Sequence, residues 1–364
     1  MSIKKTEFKL ELILVICFLL FFVKAIGVVR EKKDPVSEVQ TKQMQQVRGK
    51  TVDEQTGLLV VEYATGSDVL KNKEVGGIWI EAPTTVPTPT PVPTDFPAPQ
   101  TSIQVADLVG TKYRMEDLLK LDYLKDNLYI VNASTKMTEA EFDMEYFISK
   151  DLSIEKSETG EQPQILIFHT HASEGFADSR AGEVSDTVVG AGNLLTEILT
   201  EKYGYRVMHD TTVFDRKNGK DNRNYAYNDA LEQLQKVLEQ YPSIEVVIDL
   251  HRDAGTKRVA TVNGKQTAKV MLFNGLCRNT QGKLSYLPNE NLKDNLAFSF
   301  QMKLIGDEMY PGLMNRIFLK DYRYNMHLKE RFLLVELGTE KNTVEEAMNA
   351  MEPLADVLHQ VLGG

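Results

Sequence analysis

Cysteine is nearly absent from this chain of 364 residues, which contains only Cys17 and Cys277. Because Cys17 falls in an apolar N-terminal run, the pair offers no intramolecular disulfide framework. Two thiols are also too few for a thiolate metal cluster. A metal site in this chain would therefore have to use histidine and carboxylate ligands.

Basic residues are fewer than acidic ones: the chain has 42 Lys and Arg residues and 52 Asp and Glu residues, so the formal net charge is -10. An acidic balance argues against nucleic acid as the main partner, because surfaces that bind nucleic acid concentrate positive charge. The net charge by itself names no other partner. The length permits two domains and is sufficient for a sizeable hydrophobic core.

A long apolar run stands near the N-terminus, from Leu12 to Val29, and only Lys24 and Gly27 interrupt it. About 18 residues is near the minimum for a membrane-spanning helix. A cleaved signal peptide is the alternative, but its apolar core is usually shorter and ends at a small-x-small site, which is not evident here. We predict that residues 1–30 form a cytoplasmic tip and a transmembrane anchor of a single-pass cell-membrane protein, with the remainder extracytoplasmic.

Residues 31–100 are dominated first by polar side chains and then by proline and threonine, from Ala82 to Pro99. Proline at this density excludes helices and sheet ladders and favours extended polyproline II, which acts as a semi-rigid spacer. We predict a juxtamembrane segment followed by a linker that holds a catalytic domain away from the bilayer.

From residue 101 onward the hydrophobic pattern is that of a folded domain. Buried strands alternate with amphipathic helices at Ile165–Phe168, Val188–Lys202, Arg206–Met208, Tyr225–Gln240 and Glu245–His251, and Phe332–Gly338 is a further buried strand. This alternation predicts an α/β fold with a mostly parallel central sheet flanked by helices, over residues 101–364.

Two further helices are predicted from their capping residues. The segment Thr138–Lys150 opens with the pattern Thr138-Glu139-Ala140-Glu141, which is typical of a capping box. The segment Thr343–Leu362 is predicted to be one closing helix, capped by Asn342 or Thr343.

Ionisable side chains follow three of the predicted strands at the point where each strand ends. His169, His171 and Glu174 follow the first, His251 ends the second and Glu336 lies in the third. Side chains two apart on an extended chain point to the same side, so both histidines of the first strand can face one point. Because sites in α/β sheets lie at the carboxyl ends of strands, we expect these groups to lie close together.

Imidazole and carboxylate are ligand types that Zn2+ accepts, and a hydrolytic zinc site uses three protein ligands and one water. We predict that His171, Glu174 and His251 are the ligands and that Glu336 is the general base and later the proton donor. His169 is then either a residue that orients its neighbour or an alternative ligand. Glu174 as a solvated loop carboxylate and Glu336 as a structural salt-bridge partner remain the alternatives.

Arg252 follows His251 directly, and Asp249 precedes it by two positions, which indicates a polar pocket. We predict that Arg252 contacts the substrate. The histidines His209 and His359 show no sequence sign of a functional role.

Four segments resemble, in the same order, the stage II sporulation protein P family of endospore-forming bacteria. They are Ile165 to Glu174 (ILIFHTHASE), Val246 to Ala254 (VVIDLHRDA), Tyr324-Asn325, and Leu334 to Asn342 (LVELGTEKN). The likeness runs over roughly residues 101 to 364 and extends to the anchor and linker. It implies a zinc-dependent N-acetylmuramoyl-L-alanine amidase fold, with amidase and endopeptidase activity on peptidoglycan stem peptides. It also implies work during engulfment of the forespore, beside sporulation proteins D (a lytic transglycosylase) and M (a membrane scaffold).

The chain departs from related amidases at three points. Where those enzymes have Pro-Gly-His-Gly-Gly, this chain has His169-Thr170-His171-Ala172-Ser173, which favours His171 as the first ligand. Their glutamate ligand opens the following helix, near Val188 here, so Glu174 is the proposed substitute. The resemblance implies a substrate contact for Asn325, although methionine follows it where a glutamine is expected.

Three functions compete at this point. The first is the zinc amidase, the second is a non-catalytic wall-binding scaffold on the same fold, and the third is a zinc peptidase on the same architecture. The histidines and Glu336 argue against the scaffold, because a scaffold needs no hydrolytic site.

Overall fold

The computed structural model describes residues 103–155 and 162–363, together with the backbone of Val60–Val61. The predicted anchor at Leu12–Val29 and the Pro/Thr-rich linker lie outside the described residues. Within the described ranges, no helix combines the length and apolar character that crossing a membrane requires.

The strands of the described chain are numbered β1 to β12 and its helices α1 to α9. The strands are β1 Val60–Val61, β2 Tyr129–Val131, β3 Ile165–Phe168, β4 Val207–Asp210, β5 Arg216–Lys217, β6 Lys220–Asp221, β7 Val246–Asp253, β8 Val259–Val262, β9 Lys265–Ala268, β10 Val270–Gly275, β11 Ile317–Lys320 and β12 Arg331–Thr339. The helices are α1 Val105–Leu108, α2 Met115–Leu118, α3 Leu121–Asn127, α4 Met144–Ser149, α5 Val188–Glu201, α6 Ala226–Gln240, α7 Leu292–Met309, α8 Val344–Met348 and α9 Met351–Val361. Short 3-10 turns cover Val184–Asp186 and Met326–Leu328.

The central sheet has eight strands in the order β1-β4-β3-β7-β12-β10-β11-β2. Strands β4, β3, β7 and β12 are parallel to one another. The direction reverses between β12 and β10, and β11 and β2 then run parallel to β10. At the other edge, β1 pairs antiparallel with β4. The prediction of an α/β fold with a mostly parallel central sheet is therefore confirmed.

Both faces of the central strands are buried, which explains why β3 is an uninterrupted apolar run. Ile165 and Ile167 face one hydrophobic cluster, in which Leu195 of α5 also packs. Leu166 and Phe168 face the opposite cluster, which α6 covers. Alternation of side chains along the strand produces this division.

Two of the predicted helices have different bounds in the structure. The predicted helix Thr138–Lys150 is wrong in its first half, since α4 begins only at Met144, where Asp143 is the N-cap and accepts from the Tyr146 amide at 3.1 Å. The predicted single closing helix is also wrong, because the chain forms α8 and α9 as separate helices. The capping box of α8 does form, between Thr343 and Glu346.

Helix α5 approaches the carboxyl edge of the sheet closely because Gly190, Ala191 and Gly192 near its start are small. A Cβ on Gly192 would lie 2.6 Å from Nε2 of His209 and 2.9 Å from Cε1 of His169, both buried. Real Cβ atoms do not approach that closely, so either the helix or the imidazole pair would have to move.

We expect Gly192→Ala to lower the free energy of unfolding by about 1–3 kcal/mol through overpacking, although alanine is the better helix former by about 1 kcal/mol. Urea denaturation of the purified protein measures the change. The matched control is Glu197→Ala, an exposed position on the same helix, which we expect to stay within about 0.5 kcal/mol of wild type. Equal stability of Gly192→Ala and wild type would contradict the close contact.

Candidate metal centre

The register of three parallel strands brings the predicted site residues to one edge of the sheet. Phe168, the last residue of β3, pairs with Asp249 of β7, so the loop that follows β3 lies beside the end of β7. On the other side of β7, Glu336 of β12 pairs directly with His251. The side chains that follow or end these strands are therefore neighbours.

His171, Glu174 and His251 form a cluster in which one ligand atom of each lies within 4.8 Å of the others. Oε1 of Glu174 is 3.8 Å from Nδ1 of His171, and its Oε2 is 3.6 Å from Nδ1 of His251. The two imidazole rings meet edge to face with centroids 5.0 Å apart. One carboxylate thus lies between two imidazole nitrogens.

Glu174 is held by two arginines and is only 3% exposed. Its Oε1 accepts from Nη2 of Arg223 at 2.9 Å, and its Oε2 accepts from the backbone amide of Arg252 at 3.0 Å. Burial alone would raise the pKa of this carboxyl group, but the contacts with His251 and Arg252 outweigh burial and lower the pKa to about 2. Glu174 is consequently an anion near neutral pH.

A second carboxylate lies behind His251. Nε2 of His251 is 2.7 Å from Oδ1 of Asp249. The same carboxylate accepts from the amide of Thr170 at Oδ1 and from its hydroxyl at Oδ2. Burial lowers the pKa of His251, but Asp249 and Glu174 outweigh burial and raise it well above its usual value. The pocket therefore stabilises positive charge, as a proton on His251 or as a cation.

This donor set fits zinc. Two imidazoles and one carboxylate are common ligands of hydrolytic zinc, and a ligating histidine often has its second ring nitrogen against a carboxylate. His171 also suits the role, because burial and then the charge of His251 lower its pKa and keep its ring neutral. Ligation requires that neutral form.

Glu336 stands next to this cluster without a partner of its own. Its Oε2 is shielded from solvent and has no hydrogen-bond partner among the described residues. Burial, with smaller contributions from Glu174 and other nearby acids, raises the pKa of this carboxyl group to about 8 in spite of the charge of His251. A buried carboxylate without a partner is costly, so a role in proton transfer is a better explanation than a salt bridge.

His169 lies outside the cluster of three. It is fully buried, and its Nδ1 donates to the carbonyl of Leu250 at 2.7 Å. Its Nε2 lies 2.7 Å from Nε2 of His209, whose Nδ1 is 2.9 Å from Oδ1 of Asn193. Burial lowers the pKa of His169 to about 4. Both ring nitrogens of His169 thus make contacts, and these contacts hold the end of β3 against β7 and β4.

The two residues predicted to contact substrate make protein contacts in this structure. Nε of Arg252 donates to the carbonyl of Gly175 at 3.0 Å, which clamps the loop that carries Glu174. Nδ2 of Asn325 donates to the carbonyl of Tyr227 at 2.9 Å, and Asn325 has a left-handed backbone with φ 58. Contact of either residue with substrate stays a prediction.

Sequence reasoning did not find Tyr227 and Arg223. The Tyr227 ring meets the His171 ring edge to face at 5.6 Å and lies nearly parallel to the His251 ring at 6.3 Å. Tyr227 lies in the first turn of α6, where only its position near the carboxyl edge of the sheet could have indicated a role. Arg223 lies in an irregular segment, and no local pattern marks it. His209, which shows no sequence sign of a role, is a third residue near the site that the sequence did not indicate.

Comparisons with known proteins agree with the sequence resemblance. The stage II sporulation protein P of Bacillus subtilis (strain 168) is 27% identical over 223 residues, which are 57% of this chain and 53% of that protein. The chain thus matches about half the length of this curated relative.

Solved structures of N-acetylmuramoyl-L-alanine amidases also align. The apo amidase Ami1 of Mycobacterium abscessus is 14% identical and covers 55% of this chain and 96% of its own, with a TM-score of 0.31. The catalytic domain of CwlV from Bacillus (Paenibacillus) polymyxa var. colistinus is 13% identical, with the same coverage and TM-score. At these TM-scores the likeness carries no further conclusion.

The family model described as stage II sporulation protein P matches residues 106–359, which is well over half of the chain. This match includes every residue of the cluster and Glu336. The chain therefore belongs to the stage II sporulation protein P family.

Proposed function

We propose that this protein is a zinc-dependent peptidoglycan hydrolase that cuts the amide bond between N-acetylmuramic acid and L-alanine. The observation that carries the proposal is the convergence of His171, Glu174 and His251 beside the unpartnered carboxyl group of Glu336. Membership of the sporulation family supports the substrate.

The three clustered residues would hold the metal ion. When bound, zinc supplies Lewis-acid polarisation and lowers the pKa of a coordinated water toward neutrality. Asp249 orients His251 from behind, and Arg223 and Arg252 fix the carboxylate of Glu174. The ligands are therefore held in place by residues outside the cluster.

Glu336 acts as the proton carrier in this proposal. Its carboxylate accepts a proton from the attacking water at Oε2 and returns it to the amide nitrogen of the leaving peptide. Its position beside His251 on the neighbouring strand allows transfer within the same pocket. The Tyr227 ring packs against both histidines and closes the pocket on the α6 side.

The cellular setting is part of the proposal. Family membership supports a role in sporulation. We propose that this role falls in engulfment, with action on stem-peptide cross-links as a second activity and with sporulation proteins D and M as partners. A membrane anchor at Leu12–Val29 and a spacer would place the catalytic domain outside the cytoplasm, within reach of the wall.

We expect Glu336→Gln to lower turnover on purified sacculi by roughly 10²- to 10⁴-fold, because the amide cannot accept a proton. Zinc content and binding to sacculi should stay at wild-type levels, since the metal ligands are unchanged. Glu345→Gln, an exposed position in α8, is the matched control and should retain full activity. Turnover of Glu336→Gln close to wild type would refute the role of proton carrier.

We expect His251→Ala to lose bound zinc, because only two of the three proposed ligands remain. Elemental analysis of the purified protein measures the metal-to-protein ratio. His359→Gln in α9 is the control and should keep its zinc. A full complement of zinc in His251→Ala would exclude ligation by this residue.

Product analysis distinguishes the candidate functions. Free stem peptides released from sacculi mean that the amide bond to muramic acid was cut, as we expect. Products cut only within the stem peptide would identify a zinc peptidase. Binding to sacculi without any product from the zinc-loaded protein would identify a wall-binding scaffold.

A further inference from the structure

A short β-hairpin projects from the protein beside the candidate metal centre. Its strands are β5 and β6, and its two-residue turn is Asn218–Gly219, with φ of 53 and 73. Two residues with positive φ form the kind of turn that matches the twist of paired strands. The hairpin is therefore a preformed projection, and little ordering is needed before it binds a ligand.

The hairpin carries positive charge on an otherwise acidic chain. Residues 216–223 include four basic side chains and one acidic side chain, a formal charge of +3, whereas the whole chain has -10. All six residues from Arg216 to Asp221 are exposed. Lys217 lies 3.5 Å from Asp229, and the carboxylate of Asp221 accepts from the backbone amide of Arg223. Within the hairpin itself, Arg216, Lys217 and Lys220 outnumber Asp221, so its formal charge is +2.

The base of the hairpin is tied to the loop that carries the metal ligands. The carboxylate of Asp215, only 1% exposed, accepts from the amide and hydroxyl of Ser173. On the other strand, Asn222 donates to the carbonyl of Phe214 at 2.8 Å. Arg223, one residue further, contacts Glu174. The charged tip thus has a fixed position relative to the candidate metal centre.

The hairpin and the spacing of charges in the substrate proposed above are similar in size. Its tip extends about 10 Å from its base, at about 3.3 Å per strand residue. In a peptidoglycan stem peptide, a free carboxylate follows the L-alanine on the second residue, and stem peptides with diaminopimelate as the third residue have another there. At about 3.5 Å per extended residue, these groups lie about 7–10 Å from the amide bond to muramic acid.

We propose that the hairpin Arg216–Asp221 binds the carboxylates of the stem peptide while the bond to be cut lies at the metal centre. Arg216 has the planar fork that pairs with a carboxylate, and Lys217 and Lys220 supply point charges. This inference rests on the proposed function, because it assigns the hairpin to recognition of the same substrate.

The test neutralises the tip without touching the metal centre. The variant is R216Q/K217Q/K220Q, which retains the Asn218–Gly219 turn. The matched control is K120Q/K136Q/K283Q, which removes the same charge from exposed positions on the β2 side of the sheet, opposite β4. Both full-length variants are compared with wild type for zinc content and thermal midpoint, which should be unchanged.

Co-sedimentation measures binding to sacculi stripped of teichoic acid and to untreated sacculi. We expect the hairpin variant to bind both roughly tenfold more weakly, with a flatter dependence on salt, and the control to match wild type. Equal binding of the hairpin variant and the control overturns the proposal. A loss seen only with untreated sacculi also overturns it, because the ligand is then teichoic phosphate.

Kinetics on soluble disaccharide-peptides supplies the second arm. We expect the hairpin variant to raise KM roughly tenfold with little change in kcat. Amidation of the peptide carboxylates should raise the KM of wild type by a similar factor. It should not raise the KM of the hairpin variant further, because the amidation and the substitutions remove the same interaction. Additive effects contradict the proposal. If wild type releases no product yet the loss of binding persists, the hydrolase function fails while the binding role of the hairpin stands.

Discussion

The charge on Glu174 is the constraint on which the site depends, because a carboxylate that is 3% exposed needs compensation from every side. His171 and His251 face it, and Arg223 and Arg252 hold its two oxygens. These groups come from three parts of the chain, since His171 shares the loop of Glu174 and both His251 and Arg252 lie on β7. The loop after β3, the end of β7 and the segment before α6 therefore have to meet at one point for the carboxylate to remain ionised.

The parallel sheet provides that meeting point. Parallel strands end at the same edge, so β3, β7 and β12 deliver their last side chains together without any contact specific to the site. Register then decides which side chains are neighbours, and it pairs Glu336 with His251. Behind this edge, His169 and His209 tie β3 to its two neighbouring strands. The histidine pair contributes rigidity to the ligands in front of it.

Sequence patterns identified the strands and their chemistry because both depend on local composition. Long apolar runs predicted β3, β7 and β12, and ionisable residues marked their ends.

Predictions failed where a distant partner decided the outcome. The capping box at Thr138 does not form, because one oxygen of the Glu141 carboxylate pairs with Arg278 and the other accepts from the Thr138 hydroxyl. Pro353 indicates that a new helix begins just before it, because a proline is tolerated in the first turn of a helix but not in its interior. In the structure Pro353 lies in the first turn of α9. The pair Asn218–Gly219 is likewise a sequence signal for a β-hairpin, which the sequence analysis above does not include.

The distribution of charge separates two tasks at this edge of the sheet. Carboxyl groups are concentrated inside the pocket, where Glu174 and Asp249 favour a bound cation. Basic side chains are concentrated outside it, on the hairpin that begins at Arg216. A non-catalytic scaffold would gain from the outer charges but not from the inner ones, because burying an unpartnered Glu336 destabilises the fold without aiding binding. The inner carboxylates therefore favour catalysis, and the outer charges favour recognition of an acidic substrate.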